Sequence, residues 1–428
     1  MTVPFKITEK QSRYIFILFF LVAFILVIGK PMRMASDSQS YLTIDIMRSA
    51  GYPLFLTVIK YIFGSYFNLA TLIIQFGLGT FSIYFFIMSL KKNYKLNLIW
   101  YIILTLILLV PYIYNHHLAN SFLSEALSYP LYLISVTHFL ISIITSRTKS
   151  LIISLPILFI LILTRNQFLI LIPVAICIFL WISIKQKELK SKWLLIVLIA
   201  FPFITSIADK TYHKIVHGFY VNTPWTGIHL ITPAFFVSDA DDYLLFDSEK
   251  EQTYFKNVYK SLYIQNLNIN NLEDSKEAIL VYIDNYSRIA NATIFSVARK
   301  SLEKSLTYNQ KVIAIDKLTK SMTLNLIQNN FALWFKIYIQ NFIHGFGNAK
   351  YTLLLLVIFI YSFLKLIKTN SISYKIIFLV LFLTFLNTAL VSIGMHTKKR
   401  FLFYNDWVFF LIIFILFKTS KNSKTALS

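Results

Sequence analysis

Of 428 residues, 57% are hydrophobic and only 14% are charged, against roughly 25% charged in soluble globular proteins; mean hydropathy is +0.64. A soluble domain of this size could not hide so much apolar surface, which excludes a soluble enzyme, a disordered chain and a repeat solenoid. The net charge of +22 invites a nucleic-acid partner, but residues 209–350 balance 15 Lys/Arg against 13 Asp/Glu, and the excess lies in short loops between apolar runs, so no nucleic acid is expected.

The first apolar run, Ile15 to Gly29, follows Lys6, Lys10 and Arg13. No small-residue cleavage site follows, so it reads as a retained span rather than a signal peptide. Roughly 20 helical residues cross the hydrocarbon core of a bilayer. By that measure spans are predicted at 14–30, 66–90, 97–114, 126–145, 150–164, 166–184, 193–208, 351–367, 374–395 and 403–418. The expected fold is therefore an all-α polytopic membrane protein of about ten transmembrane helices. Three parts follow: an N-terminal membrane module (1–208) with an outer loop at 31–65, a polar segment (209–350), and a C-terminal membrane part (351–428).

Basic loops set the orientation. Lys6/Lys10/Arg13, Lys91/Lys92/Lys95, Arg147/Lys149, Lys185/Lys187/Lys190/Lys192, Lys365/Lys368/Lys375 and Lys418/Lys421/Lys424 alternate with the spans. They face two acids, Glu9 and Glu188. Both termini are then cytoplasmic, and 31–65, 115–125, Arg165, 209–350 and 396–402 face the other side.

Within the first outer loop, Asp37 stands at the head of the stretch Ser36–Pro53. If Ser36–Pro53 is helical, Asp37, Tyr41, Asp45 and Arg48 share one face. Asp37 is then either an N-cap or a reactive carboxylate. Pro53–Gly64 is too short to span and contains Lys60; it reads as an interfacial helix. His116-His117 could ligate a metal, but adjacent residues point apart on a helix, and a polar loop fits better. Glu125 follows Ser124 at the outer start of the fourth span, where an acid either caps the helix or serves a site. The span interiors are almost free of ionisable groups, and His138 is the one exception found. Arg165, between two spans, is either a snorkelling anchor or a ligand group. The lone cysteine, Cys177, lies in an apolar run and reads as a core residue; with no second cysteine, no intrachain disulfide can form.

The polar segment reads as mostly helical. Asp239-Ala-Asp241-Asp242 holds a D-x-D triplet, but without alternating strands and helices around it the pattern reads as a turn or helix cap. Phe331–Phe346 puts Phe331, Phe335, Tyr338 and Phe342 on one face, as an interfacial helix does. His396-Thr-Lys-Lys-Arg400 is a basic cluster on the outer side, against the positive-inside bias, and suits an anionic ligand such as a lipid phosphate. Asp406 reads mainly as a helix start.

The order of these features resembles the GT-C superfamily of membrane glycosyltransferases, which use polyprenyl-phosphate sugars. The matching residues are Asp37 and Tyr41, Gly51-Tyr52-Pro53-Leu54-Phe55, Gln75, Ser124-Glu125, Thr164-Arg165, and Arg400 with Tyr404. Protein O-mannosyltransferases and the aminoarabinose transferases of lipid A are in that superfamily. The resemblance covers about two thirds of the chain. It implies an outward-facing cavity, Asp37 as catalytic base, and Glu125 as a second acid. Arg165, Lys399, Arg400 and Tyr404 would hold the donor phosphate, and Tyr41, Asp45, Arg48 and Tyr52 would line the substrate. No cofactor is required; a divalent metal is compatible. The first loop lacks the paired Asp-Glu of O-mannosyltransferases, and 209–350 matches no known accessory domain.

The chemistry agrees with the residues. A sugar phosphate carries its own leaving group, so the reaction needs a carboxylate to take the acceptor proton and fixed positive charge for the released phosphate. The expected function is inverting sugar transfer from a polyprenyl phosphate to a lipid-linked O-antigen or other surface glycan. Membrane lipids are its surroundings and a bacterial inner membrane its location. Two other classes fit the topology. An O-antigen polymerase or ligase would rely on outer-loop Arg and His. A flippase or transporter would carry midplane charges and internal repeats, and neither is found.

Overall fold

The computed structural model describes residues 9–114, 116–186, 192–272 and 276–425. Of the residues counted in the basic loops, Lys6, Lys187, Glu188 and Lys190 lie outside this set. The described chain is helical, and its one extended pairing is an isolated bridge between Arg33 and Ser121. Among the described residues, eight helices are long and apolar enough to cross a membrane, as in a multi-pass membrane protein. All ten segments predicted as spans are helical, but Arg13–Ile28 and Lys149–Thr164 are shorter than the other eight. The seventh runs past its predicted end to His217.

The chain forms two compact units. The first holds residues up to Ser206, then Val357–Thr384 and the chain from Phe403. At its centre lies the helix Glu125–Thr145, packed against Phe67–Asn93 and Lys149–Thr164. Most of its side chains are buried, and it ends at Ser146 in a left-handed conformation. Prolines 111, 130 and 156 stand inside membrane helices. Neighbouring helices and local adjustment make the lost backbone bonds tolerable there.

Cys177 is exposed, against the expectation of a core position. Pro173, Cys177, Leu180 and Ile184 line one outward face of Leu171–Gln186. A membrane helix satisfies its apolar residues with lipid as readily as with protein, so apolarity alone does not imply burial.

The second unit comprises Ile207–Leu356 and Phe385–Leu402. It has a hydrophobic core that the polar composition of 209–350 did not announce. The apolar helix Thr226–Val237 forms its axis, with Phe235, Phe236 and Val237 fully buried. Tyr308–Asn329 packs along it. Gly227 permits that approach: its amide donates to Asp316 Oδ1 at 2.8 Å, and a Cβ there would strike Thr319 and the Asp316 backbone. The D-x-D triplet is a helix cap, with Asp239 and Asp242 forming a capping box on Ala240–Leu245. Asp242 also accepts from Asn329 and Asn330, both at 2.7 Å. Phe331–Gly345 is helical; along it Phe331 stacks on Phe335, and Phe335 meets Tyr338 at a tilt.

Candidate functional site

The site in the first unit starts with a chain reversal. The helix that opens after Asp37 is short, Ser38–Leu42, and does not continue to Arg48 as a single helical face would require. Ile44 has φ +55°, a left-handed conformation unfavourable for a β-branched residue, and it breaks the helix. Asp45 accepts the Met47 amide at 2.9 Å and shapes the turn. That turn brings Arg48 back to the start of the loop. Its Nη2 meets Asp37 Oδ1 at 2.9 Å, its Nε donates to Ser40 Oγ at 2.7 Å, and its guanidinium lies 4.6 Å from the Tyr41 ring centre. Asp37 makes no side-chain cap on the helix it precedes. Its carboxylate belongs to the arginine, not to the helix end.

A second carboxylate joins through Tyr41. The Tyr41 hydroxyl donates to Ser124 Oγ at 3.0 Å. Ser124 precedes Glu125–Thr145 and also makes no side-chain cap. Its Oγ accepts from Arg165 Nη1 at 3.3 Å, and the same nitrogen pairs with Glu125 Oε1 at 2.7 Å. Arg165 sits in extended backbone after Lys149–Thr164, and Gln167 Oε1 accepts from its Nε and Nη2. A snorkelling arginine would reach for water; this one is turned inward, its side chain 12% exposed beside a Glu125 side chain 2% exposed. The array therefore runs Asp37, Arg48, Tyr41, Ser124, Arg165, Glu125.

Tyr52 supports it from below. Its ring meets Tyr41 edge-on at 5.1 Å, and its hydroxyl donates to Gln75 Oε1 at 2.8 Å. Gln75 Nε2 in turn donates to the Ala119 carbonyl at 3.0 Å. Gly51 lets this layer close: a Cβ there would come within 2.5 Å of Thr164 Oγ1 and 2.7 Å of its backbone nitrogen. Backbone cannot yield as a flexible side chain can. Gly51→Ala is expected to cost about 1–3 kcal/mol through overpacking, measured as a loss of thermal stability in detergent. Unchanged stability would show that the Gly51–Thr164 approach is slack.

The Tyr404 hydroxyl meets Ser128 at 2.7 Å, enclosed by Tyr132 and Phe168. Lys399 and Arg400 belong to the second unit and open the turn Lys399–Leu402. The loop before them is clamped. Thr397 bonds Asn341 through its amide and its hydroxyl, and the His396 ring rests 4.4 Å from that of Tyr286. Burial, then Lys398, His229 and Arg400, push the His396 pKa down to about 3, so its ring is neutral at physiological pH. His116 stacks on Phe403 at 4.2 Å in the loop expected for it. Asp406 begins the last helix.

Sequence reasoning missed Ser40 and Gln167, which hold the two guanidiniums, and the shared position of Ser124. It also missed Asp209 and His213 on the extended seventh helix, where Thr223 donates from its amide to Asp209 Oδ2 at 2.7 Å. Among the described residues, no group of three or more His, Cys, Asp and Glu is arranged to hold a metal ion. Comparison with protein-family models, curated proteins and solved structures finds no match to this chain.

Proposed function

We propose that this protein is an inverting membrane glycosyltransferase that moves a sugar from a polyprenyl phosphate to an extracytoplasmic acceptor. A lipid-linked O-antigen or another cell-surface glycan is the acceptor class that this reading favours. One observation carries it: two carboxylates and two guanidiniums, drawn from three separate stretches of the chain, are bonded into one array. An exposed ion pair adds little stability and a buried one is often no better than an apolar pair, whereas acid–base chemistry on a sugar phosphate requires both charges together.

The two acids differ in exposure, which supports giving them different roles. The Asp37 side chain is 28% exposed and reachable, whereas that of Glu125 is 2% exposed and locked against Arg165. Asp37 takes the proton of the acceptor hydroxyl as its oxygen attacks the anomeric carbon. The bond from that carbon to the phosphate oxygen breaks, and the electron pair leaves with the phosphate. A single displacement inverts the configuration. Arg48 holds Asp37 in place, and Arg165 with Glu125 holds Ser124 and thereby Tyr41. A fixed cation, Arg165 in this proposal, offsets the charge that appears on the phosphate.

Reconstituted protein should transfer radiolabelled sugar from a panel of polyprenyl-phosphate hexoses and pentoses to a membrane glycolipid fraction. Failure with every donor, by protein that melts cooperatively, would remove the proposal. The sidedness makes a second expectation. With both termini cytoplasmic and 209–350 outside, a periplasm-active reporter should work when fused at Asn270 and fail at Ser420. The opposite pattern would invert the topology and remove a surface glycan as acceptor.

A further inference from the structure

The second unit carries a shallow depression, widely open to solvent, of about 510 Å³. One continuous segment lines it, and the local geometry explains how. Arg288–Phe295 is a π-helix, between Ala278–Ser287 and Ser296–Ser301. Its bonds run from residue i to i+5, giving roughly four and a half residues per turn. That period aligns Ser287, then Asn291 and Ala292, then Phe295 and Ser296, then Arg299, with Arg288 beside the first. The opposite face, Ile289, Ala290, Thr293, Ile294 and Ala298, is buried in the core and fixes the orientation. π-helical turns cost regular bonding and recur at functional positions.

The lining has a defined chemistry. Two exposed arginines stand at the ends, eleven residues apart, which a helix stretches to roughly 15 Å. Between them lie hydroxyls and an amide, with Asn291 donating to Ser287 Oγ at 3.1 Å. Arg288 donates to Asn285 at 3.2 Å, and its exposed neighbour Asp284 makes no ion pair with it. Phe295 is half-buried, its ring tilted against that of Trp225 at 5.0 Å, and small Ala292 leaves the floor open. A compact anion could reach only one arginine. Between Leu280 and Tyr308, which are themselves exposed, no large hydrophobic side chain is exposed, which does not suit insertion into a bilayer.

We propose that this groove binds an acidic oligosaccharide, with a carboxylate on each arginine and sugar hydroxyls on Ser287, Asn291 and Ser296. Arginine meets carboxylate in a two-bond fork, and the hydroxyl-rich stretch between suits a glycan rather than a peptide. The inference does not depend on glycosyl transfer at Asp37.

The test uses the full chain in nanodiscs of uncharged lipid, with trigalacturonate, neutral maltotriose and tri-glutamate as calorimetric probes. Trigalacturonate should bind, and maltotriose should bind at least tenfold more weakly. Arg288→Ala and Arg299→Ala should each weaken trigalacturonate about tenfold or more, the Lys variants less. Ala292→Trp should fill the hollow and abolish binding without removing a charge. Asp37→Asn should bind as the wild type does, so a failure of this site and a failure of the transferase reading are distinguishable. The proposal is overturned if trigalacturonate does not bind at millimolar concentration, if the double arginine variant binds undiminished, or if tri-glutamate binds equally well. Competition by phosphatidylglycerol vesicles with the same arginine dependence would assign the groove to a membrane surface instead.

Discussion

Asp37→Asn should yield a folded, inserted protein whose sugar-transfer rate is lower by roughly 10²–10⁴, the usual worth of general base catalysis. The substitution discriminates because it preserves shape. An asparagine oxygen can still accept from Arg48 Nη2, now at 2.9 Å from Asp37 Oδ1, so the reversal of the first loop should persist. What disappears is the negative charge and the capacity to take a proton. Donor affinity should change little, since the phosphate contacts in the proposal lie on other residues. Asp45→Asn should do less, because Asp45 serves the turn by accepting the Met47 amide, which asparagine also does. The decisive measurement is initial transfer rate against donor concentration with purified variants. Near-wild-type turnover by Asp37→Asn would reduce its carboxylate to an anchor for Arg48.

The largest stability effect is expected at the buried pair. Arg165→Ala would leave Glu125, with 2% of its side chain exposed, without its guanidinium partner. Removing one member of a buried ion pair costs about 3–5 kcal/mol, because the other charge stays desolvated. Glu125→Gln removes the complementary charge and should cost a similar amount. The double substitution Arg165→Met with Glu125→Gln should recover most of that loss, since replacing both members with uncharged groups of similar volume is often neutral or better. Denaturant titration of the wild type, Arg165→Met, Glu125→Gln and the double variant in one detergent gives the coupling directly. Additive losses in the double variant would show that the two side chains do not act as a pair. The double variant should also transfer sugar poorly despite its stability, because Ser124 loses the arginine that holds it.

Helix placement was legible in the sequence because it depends on consecutive residues. An apolar run long enough to cross a bilayer becomes a helix, since no other unclosed structure satisfies its backbone there. The same local logic identified the aromatic helix at Phe331–Gly345, the cap at Asp239 and Asp242, and the loop at His116. It also picked out Asp37, Tyr41, Arg48, Glu125 and Arg165 as residues whose charge or polarity is unusual for their position. How they meet was a matter for the tertiary structure. Local pattern allowed a helix from Asp37 to Arg48, and a left-handed Ile44 folds the chain back instead. Ser124 and Arg165 come together only because the helices Glu125–Thr145 and Lys149–Thr164 pack side by side, a contact no neighbouring residue encodes. Burial was least legible of all. Lipid and protein interior are equally apolar, so hydropathy could not tell that Cys177 faces outward. In the second unit, the reverse holds: its polar composition hid a core built on Thr226–Val237, because exposed charges dilute an average that buried aromatic residues do not dominate.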